Sequence, residues 1–236
     1  MKKQRKWYLA LGIGATAVLA ASCSSSSSSS TTTAPASGSL VGVFHLTAGS
    51  NSGSAVTGSY FRMISPGGTI SAGPFFSNPD STATDKSYTF VSPGNDGGLK
   101  TGAYQPDPTP PFDAKGNALA DTITAPQAFV ALNFSISTNS TDPQSKDAVP
   151  KPEITDKDGQ LSGQVEAISA AWNNQYFNQG SPKPGGGSPG LTTPVSGTYN
   201  PTTHAFVLTW ASQVVGGPFN GFTGYWHLQG SFTPGG

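Results

Sequence analysis

The chain has a single cysteine in 236 residues, Cys23, so no disulfide can form within it, and its stability has to come from packing and backbone pairing. Charge is also scarce. Only 10% of residues are Asp, Glu, Lys or Arg, and the glutamates are confined to Glu153 and Glu166. No basic stripe is present of the kind that neutralises phosphates, which excludes nucleic acid as a partner. The acidic residues are scattered singly from Asp80 to Glu166, so no dense calcium site or polycation partner is expected. Histidine is limited to His45, His204 and His227, which fall on three separate segments without a second ligand at metal spacing. No metal and no catalytic residue is selected by these patterns. Long hydrophobic runs are missing too, apart from the 15 residues of Trp7 to Ala21. A membrane-spanning helix needs about 20.

That one apolar run follows Lys2, Lys3, Arg5 and Lys6 and ends in Ala20-Ala21-Ser22-Cys23. A cationic region, a short apolar region and small residues before a cleavage point make a secretory signal. The segment resembles the signal peptides of bacterial lipoproteins, in which a Leu-Ala-Gly/Ala/Ser-Cys box is cut before the cysteine. Here Ala20 stands where the leucine is usual, with Leu19 one position further back. The resemblance implies a signal peptide over residues 1–22 and a Cys23 that becomes the new N-terminus. Its thiol would carry a diacylglycerol, with palmitate-type acyl chains, as the only covalent cofactor. It also implies a bacterial cell membrane or outer membrane location facing away from the cytoplasm. Ser24, where lipoproteins held at the inner membrane carry Asp, favours the outer membrane if the host has one.

Removal of the signal takes away four of the 12 basic residues and none of the 12 acidic ones, leaving a net charge of about −4. The mature chain opens with seven serines, Ser24 to Ser30, and continues Thr-Thr-Thr-Ala-Pro-Ala-Ser-Gly-Ser. Such a tract has nothing to bury, so residues 23–39 are expected to be a lipidated Cys followed by a flexible tether, roughly 20–25 Å end to end over its 16 residues. Residues 40–236 are then one domain, large enough to build a core without cross-links.

What the domain does contain is glycine, proline and aromatics: 30 Gly, 20 Pro and 13 Phe in the whole chain. Apolar residues recur with period 2, broken by turn chemistry every dozen residues or so, which predicts an all-β domain, an antiparallel β-sandwich or a strongly curved β-barrel with long Gly/Pro-rich loops. Strands are expected at Leu40–Thr47, Val56–Ile64, Thr69–Phe76, Tyr88–Ser92 and Phe129–Ser137, with a turn at Pro66-Gly67-Gly68. In Phe129–Ser137 the apolar Val130, Leu132, Phe134 and Ile136 alternate with residues expected to be wet. Asp158-Gly159 predicts a hairpin. The continuation through Glu166 to Gln175 is ambiguous, since Val165, Ile168, Trp172 and Tyr176 also fall at helical spacing. Pro194–Tyr199, His204–Ala211 and Phe222–Phe232 predict a meander burying Phe206, Leu208, Trp210, Trp226, Leu228 and Phe232. Pro93–Thr124 and Thr138–Pro152 are expected to be long loops, and Pro106-Asp107-Pro108-Thr109-Pro110-Pro111 a rigid extended one.

Two motif matches fail on chemistry. Gly186-Gly187-Ser188-Pro189-Gly190 fits G-x-S-x-G, but Pro189 has no N–H to donate to an oxyanion, and no strand precedes it. Asp156-Lys157-Asp158-Gly159 resembles part of a calcium loop, but the first and twelfth ligand positions fall on Ile154 and Val165, which cannot coordinate. The most distinctive stretch is Trp172 to Gly180, where three aromatics alternate with five carboxamides. Ring faces stack on sugar C–H bonds, and amides both donate to and accept from hydroxyls. Trp172, Asn174, Tyr176 and Asn178 are therefore the candidate ligand-binding residues. The expectation is a surface-exposed lipoprotein acting as a non-catalytic binding or structural module, with envelope polysaccharide as a possible partner. The alternative is an envelope hydrolase whose catalytic residues converge from separate loops.

Overall fold

The computed structural model describes residues 38–235, so Cys23 and most of the tether lie outside the described residues. Its strands, in chain order, are β1 (Gly38–Ser39), β2 (Gly42–Leu46), β3 (Ser50–Ser52), β4 (Ala55–Thr57), β5 (Tyr60–Thr69), β6 (Gly73–Phe75), β7 (Thr89–Phe90) and β8 (Gly98–Lys100). Then follow β9 (Gln127–Phe129), β10 (Leu132–Thr138), β11 (Glu153–Lys157), β12 (Gln160–Gln164), β13 (Ile168–Trp172), β14 (Gln175–Asn178), β15 (Thr193–Tyr199), β16 (Ala205–Gln213) and β17 (Thr223–Pro234). The domain is all-β; one 3-10 turn at Pro184–Gly186 is its only helical element among the described residues. An 11-stranded antiparallel sheet, curled into a half-barrel, runs β1-β11-β12-β15-β16-β17-β2-β8, with β5 joining β17 and carrying β6 and β7. A four-stranded sheet, β14-β13-β10-β9, and the small β3-β4 hairpin complete the architecture.

The strand that shapes the large sheet is β17. One edge pairs with β16 from Ala205↔Ser231 to Gln213↔Thr223. The other edge is divided, with Thr223 to His227 pairing β5 and Gly230 to Pro234 pairing β2. Gly230 is needed at the second of these, because a Cβ there would lie 1.8 Å from the His45 carbonyl oxygen.

Alternation then sorts the side chains. Phe206, Leu208 and Trp210 of β16 and Trp226, Leu228 and Phe232 of β17 are all buried on the concave face, as expected. Trp210 and Trp226 stack at 5.8 Å, and Phe61 and Phe134 close on Trp226 from β5 and β10 at 4.7 and 6.2 Å. The four-stranded sheet lies over this aromatic layer. Gln179, just past β14, joins the two sheets through polar contacts: its carbonyl accepts from Trp210 Nε1 at 2.8 Å and its Oε1 from Trp226 Nε1 at 3.2 Å. Ser212 Oγ donates to the neighbouring Gly180 carbonyl at 2.7 Å. Indole N–H groups buried without acceptors would be costly, so these bonds fix how the sheets meet.

Several local expectations change. Val56–Ile64 is interrupted at Gly58, whose φ of 73° ends β4 before β5 begins. Pro66-Gly67-Gly68 is not a turn: β5 runs through it to Thr69, with a shifted register against β6 between Ile64 and Thr69. A bulge on a strand edge tolerates a residue lacking an N–H, and Gly67 supplies the required φ of 79°. Met63 and Ile64, which alternate across the regular β5–β17 pairing, are both buried, so both faces of β5 are covered there. Phe129–Ser137 is a hairpin folded at Val130-Ala131, both with positive φ, and Ser135 and Ser137 are buried rather than wet because long loops cover that face. Residues 168–178 form a hairpin, not a helix. The sheet also starts slightly earlier than Leu40, since Gly38 and Ser39 pair with Asp156 and Thr155.

Truncating Trp226 would open a cavity between the sheets. Trp226→Ala should lower the unfolding free energy in urea by roughly 3–5 kcal/mol, whereas Ser231→Ala, exposed on the same strand, should stay within about 0.5 kcal/mol of wild type.

Candidate functional site

The distinctive Trp172 to Gly180 segment is the β13–β14 hairpin, turned by Asn173 and Asn174 at φ 51° and 56°. Asn is among the few residues that adopt this conformation cheaply, which explains two in succession at a two-residue turn. Alternation across the hairpin then separates the four candidate residues. Trp172 turns into the core, 9% exposed, and donates its indole N–H to the Phe129 carbonyl at 2.8 Å. Asn178 is buried on the opposite face and donates to Asp142 Oδ1 at 3.0 Å. Asn174 sits exposed at the tip, its amide close over Gly116. Tyr176 alone faces an open groove. The structure therefore does not gather the four into one surface.

The groove beside Tyr176 has a volume of about 570 Å³, within the range of small-ligand sites. Two long loops build its other walls. The first, residues 104–111, is held by Gln105, which pairs through its backbone with Thr138 and whose buried side chain donates to Asp96 and the Gly98 carbonyl at 3.0 and 2.9 Å. Prolines on either side of Asp107 then make this wall stiff, and Tyr104 is fixed by its hydroxyl, which donates to the Val149 carbonyl at 2.6 Å. The second wall, residues 139–143, leads off from the end of β10.

At the centre, Asp107 and Asn139 bind each other reciprocally. Asn139 Nδ2 donates to Asp107 Oδ2 at 3.0 Å, and the Asp107 N–H donates to Asn139 Oδ1 at 3.3 Å. Behind them Asn139 also donates to Ser137, which bonds Ser169 across β10 and β13. Asp107 Oδ1 is buried with no hydrogen-bond partner of good geometry. Burial pushes the Asp107 carboxyl above its usual range, against the opposing effect of the Asn139 bond. Burial and the neighbouring Asp107 carboxylate push the Tyr176 phenol up to about 12. Phe112 meets the Tyr176 ring edge-on at 5.4 Å and limits its rotation. The groove thus presents two tyrosines, one poorly solvated carboxyl, one carboxamide and the hydroxyls of Thr109, Ser140 and Thr141.

Asp107 is, among the described residues, the only carboxylate lining the groove. Among the described residues no group of three or more His, Cys, Asp or Glu is placed to hold a metal ion. The first and last long strands do pair, but His45 lies opposite Ser231 while His227 lies opposite Tyr60, four residues away along β17, so the two histidines do not meet. His227 stacks on Tyr60 at 4.5 Å. Ser188 is exposed in the loop after the 3-10 turn, and Asp156 caps the β11–β12 turn by accepting from the Gly159 N–H at 2.8 Å. Spacing does not single out Tyr104, Asp107 or Asn139 as binding residues, since Asp107 and Asn139 are 32 residues apart, and the proline-rich run around Asp107 reads only as a rigid loop.

No protein-family model, curated protein or solved structure matches this chain.

Because its folded-state pKa lies above the ordinary 3.8, Asp107 favours folding in acid and loses that contribution as pH rises through the raised value. Urea midpoints measured from acid to neutral pH should therefore shift in favour of Asp107→Asn relative to wild type, and a pH-independent difference would contradict the assigned environment.

Proposed function

We propose that this protein is a lipid-anchored surface lipoprotein whose β domain binds an envelope polysaccharide, non-catalytically, through the groove between Tyr104 and Tyr176. The observation that carries the reading is the composition of that groove. Aromatic rings supply stacking faces, and the Asp107–Asn139 pair with the surrounding hydroxyls supplies the donors and acceptors that sugar hydroxyls require. The stiff proline walls favour binding, because little conformational freedom is lost when a ligand enters. The Ser/Thr tether supports the same reading from the sequence: it gives the domain reach toward polymers beyond the lipid surface.

Asp107 also favours a second reading. Burial raises the proton affinity of this carboxyl, the direction a general acid needs, and an envelope hydrolase would use it so. Glycosidases require a second carboxylate roughly 5–10 Å from the first, on the other side of the scissile bond. Among the described residues the groove supplies no such partner, so binding is the better-supported reading.

Isothermal titration with soluble envelope polysaccharide should give saturable binding that weakens about tenfold in Tyr104→Ala and in Tyr176→Ala, equivalent to roughly 1.4 kcal/mol each. Release of reducing sugar by the wild type, abolished in Asp107→Asn, would favour the hydrolase; no binding to any fraction would remove the polysaccharide. Mass spectrometry of the membrane fraction tests the anchor separately. The mature chain should begin at Cys23 with a diacylglycerol attached, and Cys23→Ala should release the protein.

A further inference from the structure

A second cavity, of about 460 Å³, opens on the far side of the loop that walls the groove. Asn139, Ser140, Thr141 and Pro143 face the groove, whereas Asp142, Gln144 and Ser145 of the same loop face this cavity. Lys183 lies at its floor.

Lys183 is unlike the other lysines of the domain. Lys86, Lys115, Lys146, Lys151 and Lys157 are exposed, and Lys100 pairs with Asp96 at 2.8 Å. Lys183 is 8% exposed and has no carboxylate within ion-pairing reach among the described residues. Its amine donates to the Asn178 backbone carbonyl. Its own backbone is clamped on both sides, the N–H by the Gly187 carbonyl and the carbonyl by the Gly186 N–H, each at 2.8 Å. Glu166, on the neighbouring segment, accepts from the Gly185 N–H at 3.0 Å, which ties the loop down further. Asp142 is fully buried and its carboxylate accepts from Asn178 Nδ2, the Gln144 N–H and the Ser145 N–H. The remaining walls, with Pro184, Pro189 and Val215, are apolar.

We propose that Lys183 is an amine nucleophile at the floor of this cavity and captures small carbonyl compounds, aldehydes or ketones, as imines. An amine attacks only when unprotonated. Burial holds the Lys183 amine down to about 7, with the Asp142 charge working in the opposite direction. At neutral pH a large share of it therefore carries a free lone pair, whereas an exposed lysine keeps almost none. In the reaction the nitrogen bonds the carbonyl carbon, and the carbonyl oxygen leaves as water with the two amine hydrogens. Protonation of the imine nitrogen by solvent then gives a cation that the buried Asp142 carboxylate, beyond ion-pairing distance, favours electrostatically. The apolar walls at Pro184, Pro189 and Val215 receive the organic part of the carbonyl compound.

The test uses the full-length protein in detergent at pH 7 with glycolaldehyde as the probe and cyanoborohydride to fix any imine, followed by peptide mass spectrometry. Lys183 should be alkylated at least about tenfold faster than Lys115 and Lys157, and Lys183→Arg should leave only the slow surface labelling. Alkylation of the exposed lysines with Lys183 untouched, or at the surface rate, would overturn the proposal. The wild-type comparison is internal to one sample, so it does not depend on any variant folding, and its outcome is independent of polysaccharide binding in the groove.

Discussion

The structure depends on hydrogen-bonding both edges of one long strand when no single partner covers the second edge. β16 satisfies the first edge of β17 along nearly its whole length, but β2 and β5 divide the other and leave Gln229 between them. A buried strand cannot leave backbone groups unpaired without a substantial cost. Ser59, itself fully buried, completes the edge: its hydroxyl accepts from the Gln229 N–H at 3.1 Å and donates to the Gln229 carbonyl at 3.2 Å, and the Thr47 N–H donates to the same carbonyl at 2.7 Å. One side chain thus stands where a strand would otherwise have to continue, and the excursion from Ala48 to Gly58 leaves and returns without breaking the sheet.

From that junction the rest of the domain can be followed outward. The continuous β17 presents Trp226, Leu228 and Phe232 as one concave row, and the small sheet settles on it through Trp210, Trp226 and Gln179. The position of Gln179 sets the β13–β14 hairpin, and the hairpin contributes to both cavities at once. Tyr176 projects from one face into the groove, while Asn178 holds Asp142 and accepts the Lys183 amine at its carbonyl. The loop 139–149 between the two cavities is therefore supported from both sides, so each cavity has walls fixed by the same core contacts.

Much of this was legible in the order of residues wherever one face of a strand is buried and the other is not. The row Phe206, Leu208 and Trp210, the Asp158-Gly159 hairpin and the buried Trp226 all follow from local alternation and turn chemistry. Departures from strict period 2 are not legible in the same way. Pro66 to Gly68 has the composition of a turn, yet an edge bulge makes the same demands of its residues. Ile168 and Trp172 sit four apart on one face of β13, a spacing that strand and helix share, and Tyr176 continues it only across the two-residue turn and on the opposite face. The groove was harder still. Tyr176 was visible as an aromatic among carboxamides, but its companions Tyr104, Asp107 and Asn139 come from loops whose meeting is decided by Gln105 pairing with Thr138, a contact no local pattern encodes.

Amide hydrogen exchange along β17 tests the account most directly, because the Gln229 N–H has a side-chain hydroxyl as its partner where its neighbours have strands. In wild type Gln229 should exchange as slowly as the strand-paired amides of β17. In Ser59→Ala its protection should fall selectively, while the amides of β16 that face β17 keep theirs. Equal protection at Gln229 in both proteins would contradict the role assigned to Ser59.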